Sequence, residues 1–456
     1  MTLSVKSYSL FFKTCLVLSF AAVWSAQAFA QNSPIIIRDT EIEKTLDEWS
    51  TPILKAAGLD LGNVNVILVQ SPQLNAFVAG GANIFIYTGL IERTESPGEL
   101  IGVYAHELGH ITGGHLIKAG NALERASYES ILGAVLGIGA AIATGNGAAA
   151  SAIISGSSNI AARNYLSHSR IHESSADQAA LTFFEKSQMN PKGLATFLQK
   201  LEDEELIPAS QQSEYVRTHP ITARRVEAAL ARGNKSPFIN KDFPPEWLEM
   251  HRRMKAKLMG FIDPGRVPWT YSDQDKSITA RYARAIAAYR QNNVDHAVSG
   301  IDSLIKDEPN NPYFHELKGQ MLVDFARLDE AIPSYKRAVD IMPDAPLIRI
   351  AYSHALIEQH GGDDNLNLAI KNLERALADE KRNGRAYRLL ATAHGRLGRE
   401  DLAKVYLAEE AVLQGRYDYA KRQAETALQT LDKGSKEAIQ AQDIVSYVEN
   451  NKDIKN

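Results

Sequence analysis

Cysteine is nearly missing from this chain. Only Cys15 is present among 456 residues, and it lies in a segment that reads as removable. A mature protein without thiols has no disulfide framework and no thiolate to offer a metal. Any metal site must therefore draw on His, Asp and Glu. An excess of charge of one sign is also lacking. The formal net charge is -4 over the full length, which argues against a nucleic-acid footprint. Long unbroken apolar runs are missing too. Cys15 to Trp24 is apolar but too short to span a bilayer. The charge-free stretch Ile131 to Ile154 is broken at Thr144-Gly145-Asn146-Gly147. It reads as a buried hairpin or a lid in preference to a membrane-inserted segment.

What is present is the composition of a globular protein, 45% apolar and 23% charged, on a chain long enough for two domains. The N-terminus has the form of an export signal. Lys6 and Lys13 precede the apolar run, and Ala28-Phe29-Ala30 supplies a small-residue cleavage site before Gln31. Residues 1–30 are read as a signal peptide cleaved after Ala30.

Residues 35–230 mix short strands with later helices. Val64 to Val69 is rich in β-branched residues. Phe77 to Gly81 leads through a glycine pair into Ile84 to Tyr87, the pattern of two strands and a turn. The second of these strands is expected to pair with an extended substrate backbone. A helix follows. Ser96 caps it, Pro97 takes its first position and Glu99 completes the box, with Leu100, Tyr104, Leu108 and Ile111 as an apolar stripe on a half-buried helix. Prolines at 237, 244, 245, 264 and 268 mark a connector, within which Trp247 to Phe261 can be helical.

From about residue 277 the chain repeats. Pro309 and Pro343 lie 34 residues apart, with Gly319, Ala331, Tyr335 and Ala338 between them at the spacing of a tetratricopeptide unit. Ala297, the pair Ala369 and Ala376, Ala403, and the pair Ala420 and Ala427 continue the pattern, giving about four repeats. The expected division is 1–30 signal peptide, 31–236 first domain, 237–276 connector and 277–451 repeats. The expected fold is α+β, mostly α: a first domain with a small sheet, joined to an α-solenoid.

The chemistry concentrates in His106-Glu107-Leu108-Gly109-His110. Residues four apart share one face of a helix, so His106 and His110 reach one metal ion, and neutral imidazole suits zinc. Glu107 stands next to the open coordination position, where a general base takes a proton from water and returns it to the leaving amine. A catalytic site needs a third protein ligand. Glu173-Ser174-Ser175-Ala176-Asp177 offers Glu173, with Asp177 placed to accept the outer N–H of a ligand histidine. His115, His168 and His172 lie near these motifs and are given no role.

These residues carry a resemblance. Asn75-Ala76-Phe77 with Gly80-Gly81, Thr88-Gly89-Leu90, His106 to His110, Ser169-Arg170 ahead of Glu173 to Asp177, and Thr218-His219-Pro220 with Arg225 occur in that order. The set resembles the zinc metallopeptidase family that includes the CAAX prenyl protease and the heat-shock membrane protease. Ala79 departs from it, since the family often has Pro before the paired glycines. The signal peptide and repeat tail resemble the periplasmic type of that family. The resemblance implies a zincin-type metallopeptidase domain over residues 31–236, with one Zn2+ per chain held by His106, His110 and Glu173 and with Glu107 as general base. It implies that His219 can take the fourth metal position and hold the enzyme latent. It also implies unfolded or misassembled outer-membrane proteins as substrates and the outer-membrane β-barrel assembly machinery as a partner of the repeats. Location in the periplasm, with peripheral association with the outer membrane, follows from the same likeness. A second reading is a chaperone or adaptor scaffold whose zinc site is latent or structural. A third, an integral membrane protease, rests on Ile131 to Ile154.

Overall fold

The computed structural model describes residues 35–115, 170–208 and 211–450. The signal segment and Ile131 to Ile154 fall outside the described residues. So does His168.

Strand β1 (Ile35–Ile37) leads into helix α1 (Thr40–Ala56). Asp39 caps that helix, its carboxylate accepting the Ile42 amide at 3.0 Å. Ile42, Leu46, Trp49 and Ile53 recur at helical spacing and are all buried. Three more strands follow: β2 (Asn65–Gln70), β3 (Ala76–Ala79) and β4 (Asn83–Tyr87). The sheet order is β1-β2-β4-β3, with β2 and β4 parallel and the other pairs antiparallel. The turn from β3 to β4 needs its glycines, since Gly80 has φ of +62° and Gly81 of +89°. The Asn83 side-chain amide closes that turn on the Gly80 carbonyl at 2.8 Å.

The topology corrects one expectation. The strand at Ile84 to Tyr87 is internal, with its edges already paired to β2 and β3. It has no edge left for a substrate. Among the described residues the outer edges of β1 and β3 have no strand partner; β1 is the more exposed, and β3 is buried throughout.

After the short helix α2 (Thr88–Arg93) comes α3 (Pro97–Thr112), which carries the histidine motif. Ser96 Oγ accepts the Glu99 amide at 3.3 Å, as the cap signal predicts. Glu99 reaches back one residue further than a capping box requires and accepts the Glu95 amide at 2.7 Å. The helix is buried along its whole length to His110, on every face, where a half-buried stripe was expected. Its glycines explain this. A Cβ at Gly102 would stand 2.8 Å from the Leu194 backbone, and one at Gly109 would stand 2.7 Å from the Ala176 carbonyl. Neighbouring helices therefore press directly on the α3 backbone. They are α4 (Arg170–Lys186) and α5 (Lys192–Glu202), followed by α6 (Glu214–Thr218) and α7 (Ala223–Gly233). Phe184 and Phe197, both fully buried in this core, each contribute about 1.5–3 kcal/mol of transfer free energy.

The proline-rich stretch contains an 18-residue helix, α8 (Pro245–Ile262). It forms a wall shared by two cores. Met254 and Leu258 belong to the core of the N-terminal part, while Ala256 and Met259 pack with Ala283 and Ala287 of the first repeat helix.

The repeats form five helix pairs among the described residues, one more than the sequence pattern suggests. They are α9 (Ile278–Arg290) with α10 (Val294–Asp307), α11 (Pro312–Asp324) with α12 (Leu328–Ile341), α13 (Pro346–Glu358) with α14 (Asp363–Asp379), α15 (Gly384–Arg396) with α16 (Glu400–Leu413), and α17 (Tyr417–Ala427) with α18 (Lys436–Asn450). The signature residues meet as the pattern implies. A Cβ on Gly319 would touch the Tyr335 ring at 2.7 Å, and Ala331 and Ala338 are fully buried.

The two parts meet along a charged seam. Lys257 on α8 is buried and ion-paired with Asp39 at 2.8 Å and Glu41 at 3.0 Å. The Tyr282 hydroxyl donates to Glu41 at 2.8 Å, Thr40 donates to Glu316 at 3.2 Å, and Arg38 reaches Glu380 at 2.6 Å. Among the described residues no helix is long and apolar enough to cross a membrane.

Candidate metal centre

Helix α3 presents His106 and His110 on one face, one turn apart, because their four-residue spacing is just over one helical turn. Helix α4 crosses α3 at Gly109 and carries Glu173 and Asp177, again four apart, toward the same point. The segment after α6 supplies His219. Ligand-type atoms of His106, His110, Glu173 and His219 all lie within 4.8 Å of one another, and all four residues are fully buried.

The separations fit a shared cation. His106 Nε2 and His110 Nε2 stand 3.1 Å apart, and each is 3.3 Å from a different oxygen of Glu173. Four donors placed 2.0–2.1 Å from a central zinc ion in a tetrahedron stand about 3.3 Å apart. Asp177 Oδ1 lies 2.9 Å from His106 Nδ1 and accepts its proton, which turns Nε2 toward the centre. The residues present therefore fit a divalent metal.

Electrostatics agree. Burial alone would lower the pKa of His106, yet hydrogen bonds to Asp177 and Glu173 outweigh it and lift the imidazole to about 10. The Glu173 carboxyl is held well below its usual range. Burial opposes this, but the charge of His219 and the bonds from His106 and His110 prevail. These donors hold a positive charge tightly, and a proton and a metal cation compete for the same place. His110 moves the other way, lowered chiefly by burial.

Arg225, on α7, is the hub beneath the centre. Its guanidinium donates to both oxygens of Asp177 at 2.7 and 2.9 Å, to the Pro220 carbonyl at 2.7 Å, and pairs with Glu173 at 3.0 Å. Asp177 is held below its usual range, burial opposing and the Arg225 hydrogen bonds dominating. The planar fork suits two carboxylates and a carbonyl at once, which a lysine would not.

Glu107 faces inward on α3 with both carboxylate oxygens buried and without a hydrogen-bond donor among the described residues. Burial pushes its carboxyl up to about 8 against the pull of His106. Its Oε1 lies 3.5 Å from His219 Nε2. His219 is stacked on Tyr215 with centroids 4.5 Å apart, and its Nδ1 is 2.9 Å from the Thr218 hydroxyl. The Tyr215 amide is tied to the Leu74 carbonyl at 3.2 Å, which anchors this segment beside the start of β3.

The structure thus brings together all six residues singled out from the sequence: His106, Glu107, His110, Glu173, Asp177 and His219. It adds three that carried no such signal. Arg225 was part of the resemblance without a role. Gly109 reads only as a filler in the motif. His115 lies against the outer nitrogen of His110.

Comparison with known proteins gives the same picture. Residues 37–233 match the model of Peptidase family M48, and residues 282–346 match that of a tetratricopeptide repeat. The beta-barrel assembly-enhancing protease of Escherichia coli (strain K12) is 26% identical over 399 residues, which are 86% of this chain and 79% of that one. The protease of the same name from Yersinia pestis is 25% identical over 364 residues, 77% of this chain and 72% of that one. Among solved structures, a crystal structure of MamA aligns with 38% of this chain and 95% of that chain. Its identity is 19% and its TM-score 0.29, a likeness too slight to carry a functional reading.

Proposed function

We propose that this chain, an M48 metallopeptidase domain joined to tetratricopeptide repeats, is a zinc-dependent endopeptidase of the bacterial periplasm that acts on misassembled outer-membrane β-barrel proteins. The convergence of His106, His110 and Glu173 at 3.1–3.3 Å carries the reading. Zinc follows from the donor chemistry, since imidazole and carboxylate in a tetrahedral arrangement suit it and the described residues include no cysteine. The β-barrel substrate class rests on the names of the relatives, and the outer-membrane assembly machinery as partner on the resemblance set out above. The periplasm rests on that resemblance and on the signal-like residues 1–30. We place the peptidase unit at 31–236, the connector at 237–276 and the repeats at 277–451.

In this mechanism His106, His110 and Glu173 hold the metal. Asp177 and Arg225 fix its ligands in orientation. When bound, zinc polarises a scissile carbonyl and lowers the pKa of water. Glu107, buried beside the cluster with Oε1 3.5 Å from His219 Nε2, would take a proton from the attacking water and return it to the departing amine. An extended substrate would add beside β3, the edge strand next to the His219 segment, whose Tyr215 amide bonds to the Leu74 carbonyl.

A latent state is a second reading, favoured by His219 standing within the ligand cluster and beside Glu107. In that state the repeats bind partners and the peptidase is shut. One assay separates these readings: zinc content of the purified full chain together with cleavage of an unfolded β-barrel protein. Wild type is expected to hold one zinc per chain. Glu107→Gln is expected to keep that zinc and lose cleavage by about 10²–10⁴-fold. His219→Ala is expected to cleave faster if latency operates. Unchanged turnover in Glu107→Gln would remove Glu107 from the mechanism, and a chain that takes up no zinc would defeat the whole reading.

A further inference from the structure

We infer that His115 is a positioning residue for the metal ligand His110, doing for that imidazole what Asp177 does for His106. The inference rests on the metallopeptidase reading above. His115 is buried, 3% exposed, and its Nδ1 lies 3.0 Å from His110 Nδ1 with the two rings near perpendicular at 77°. His110 presents Nε2 to the cluster, so its ring proton sits on Nδ1. That N–H donates to His115, and His115 must accept through an unprotonated Nδ1. Its own proton then lies on Nε2.

The chain is built to make this contact. Helix α3 ends on Gly113 and Gly114. Gly114 adopts φ of +60°, and its amide donates to the Ile111 carbonyl at 3.1 Å. The chain turns back on itself, and the His115 amide donates to the His110 carbonyl at 3.1 Å. A Cβ on residue 113 would fall 2.4 Å from His115 Nε2, so only glycine leaves room for the ring. On its other side the His115 ring lies flat against His172, centroids 4.5 Å apart and planes within 11°. The ring is held from both faces of the turn, in the one pose that points Nδ1 at His110.

The two ligand histidines are therefore unequal. His106 leans on a carboxylate, which enriches its electron density. His110 leans on a neutral ring, which orients it without adding charge. A metal held by both would meet one imidazole backed by a charge and one backed by a dipole, and the pocket carries one negative charge fewer than a paired-carboxylate design would have.

Zinc affinity by chelator competition, on the full chain, tests this without reference to activity. His115→Phe keeps the stacked ring and removes the acceptor. It is expected to weaken zinc binding about 10- to 100-fold. His115→Asn places an oxygen where Nδ1 stood, and is expected to stay within a fewfold of wild type. Cobalt substituted for zinc should show an altered visible spectrum in the Phe variant and a wild-type spectrum in the Asn variant. Wild-type affinity in His115→Phe overturns the assignment. Equal weakening in Phe and Asn also overturns it, since lost packing and not a lost acceptor would then be the cause. Should the Phe variant fail to fold, His115→Gln replaces it, because its oxygen reaches the Nε2 position and should not rescue. A wild-type chain without zinc affinity would instead defeat the metallopeptidase reading itself.

Discussion

The molecule buries two clusters of charge, and they are balanced in different ways. At the seam, Asp39 and Glu41 surround an ammonium that the chain itself provides, Lys257. At the centre, Glu107, Glu173 and Asp177 lie among buried imidazoles, and Arg225 is committed to Asp177 and Glu173 from below. Burying carboxylates is costly unless each is paired. The seam meets that requirement with a side chain, which fixes two parts of the protein together permanently. The centre leaves a lone-pair surplus aimed at one point, which invites an exchangeable cation. Similar residues thus serve as a rivet in one place and as a socket in the other.

The largest test of this contrast is removal of the rivet. Lys257→Met leaves Glu41 buried and Asp39 half-buried without their ammonium partner and is expected to cost about 3–5 kcal/mol of stability. Zinc affinity should not change. A loss of zinc binding in step with stability, measured by melting and chelator competition on the same sample, would show that the clusters are one system.

Gly109→Ala attacks the socket without touching a ligand. The added methyl meets the Ala176 carbonyl at 2.7 Å, so α4 must shift, at a cost of about 1–3 kcal/mol. Glu173 and Asp177 ride on α4, so zinc affinity should fall as well while the seam stays intact. Unaltered zinc affinity would mean that α4 approaches the motif less rigidly than the packing implies.

The smallest effect concerns a third carboxylate at the seam. Burial pushes Glu316 up to about 8 from an ordinary carboxyl value of 4.5, with Lys257 pulling the other way. The folded chain therefore keeps a proton there that the unfolded chain releases. Between pH 4.5 and 8 this contribution favours folding less as pH rises. Glu316 retains some solvent contact, so screening holds the change to about 1 kcal/mol. Glu316→Gln should melt higher than wild type at pH 8 and equally at pH 4.5. An identical difference at both pH values would show that Glu316 is already balanced by Lys257.

How much of this was legible beforehand follows from how local each feature is. The histidine pair and the Glu173–Asp177 pair could be read because four-residue spacing on a helix places side chains together whatever surrounds them. The repeats could be read because each unit packs on its neighbour with the same small residues. The depth of α3 could not. Its glycines look like gaps in an apolar stripe, and only the arrival of α4 and α5 shows that they admit a second backbone. Ile84 to Tyr87 is apolar at every position, which marks a strand buried on both faces, but nothing local to it marks which strands pair with it. His115 was passed over because its partner depends on the Gly113-Gly114 reversal. Lys257 looks like any other helical lysine until residues far upstream close over it.

That closure has a kinetic consequence. Arg38 and Glu380 are 342 positions apart in the chain, and Glu41 and Lys257 are 216 apart. Joints between such distant segments form late, because a long loop must first be drawn shut. As the polypeptide emerges from its N-terminus, the histidine helix and its neighbours can assemble well before the third repeat exists. The peptidase part would then be finished first and clamped last, and an interrupted chain would carry a working half without its harness.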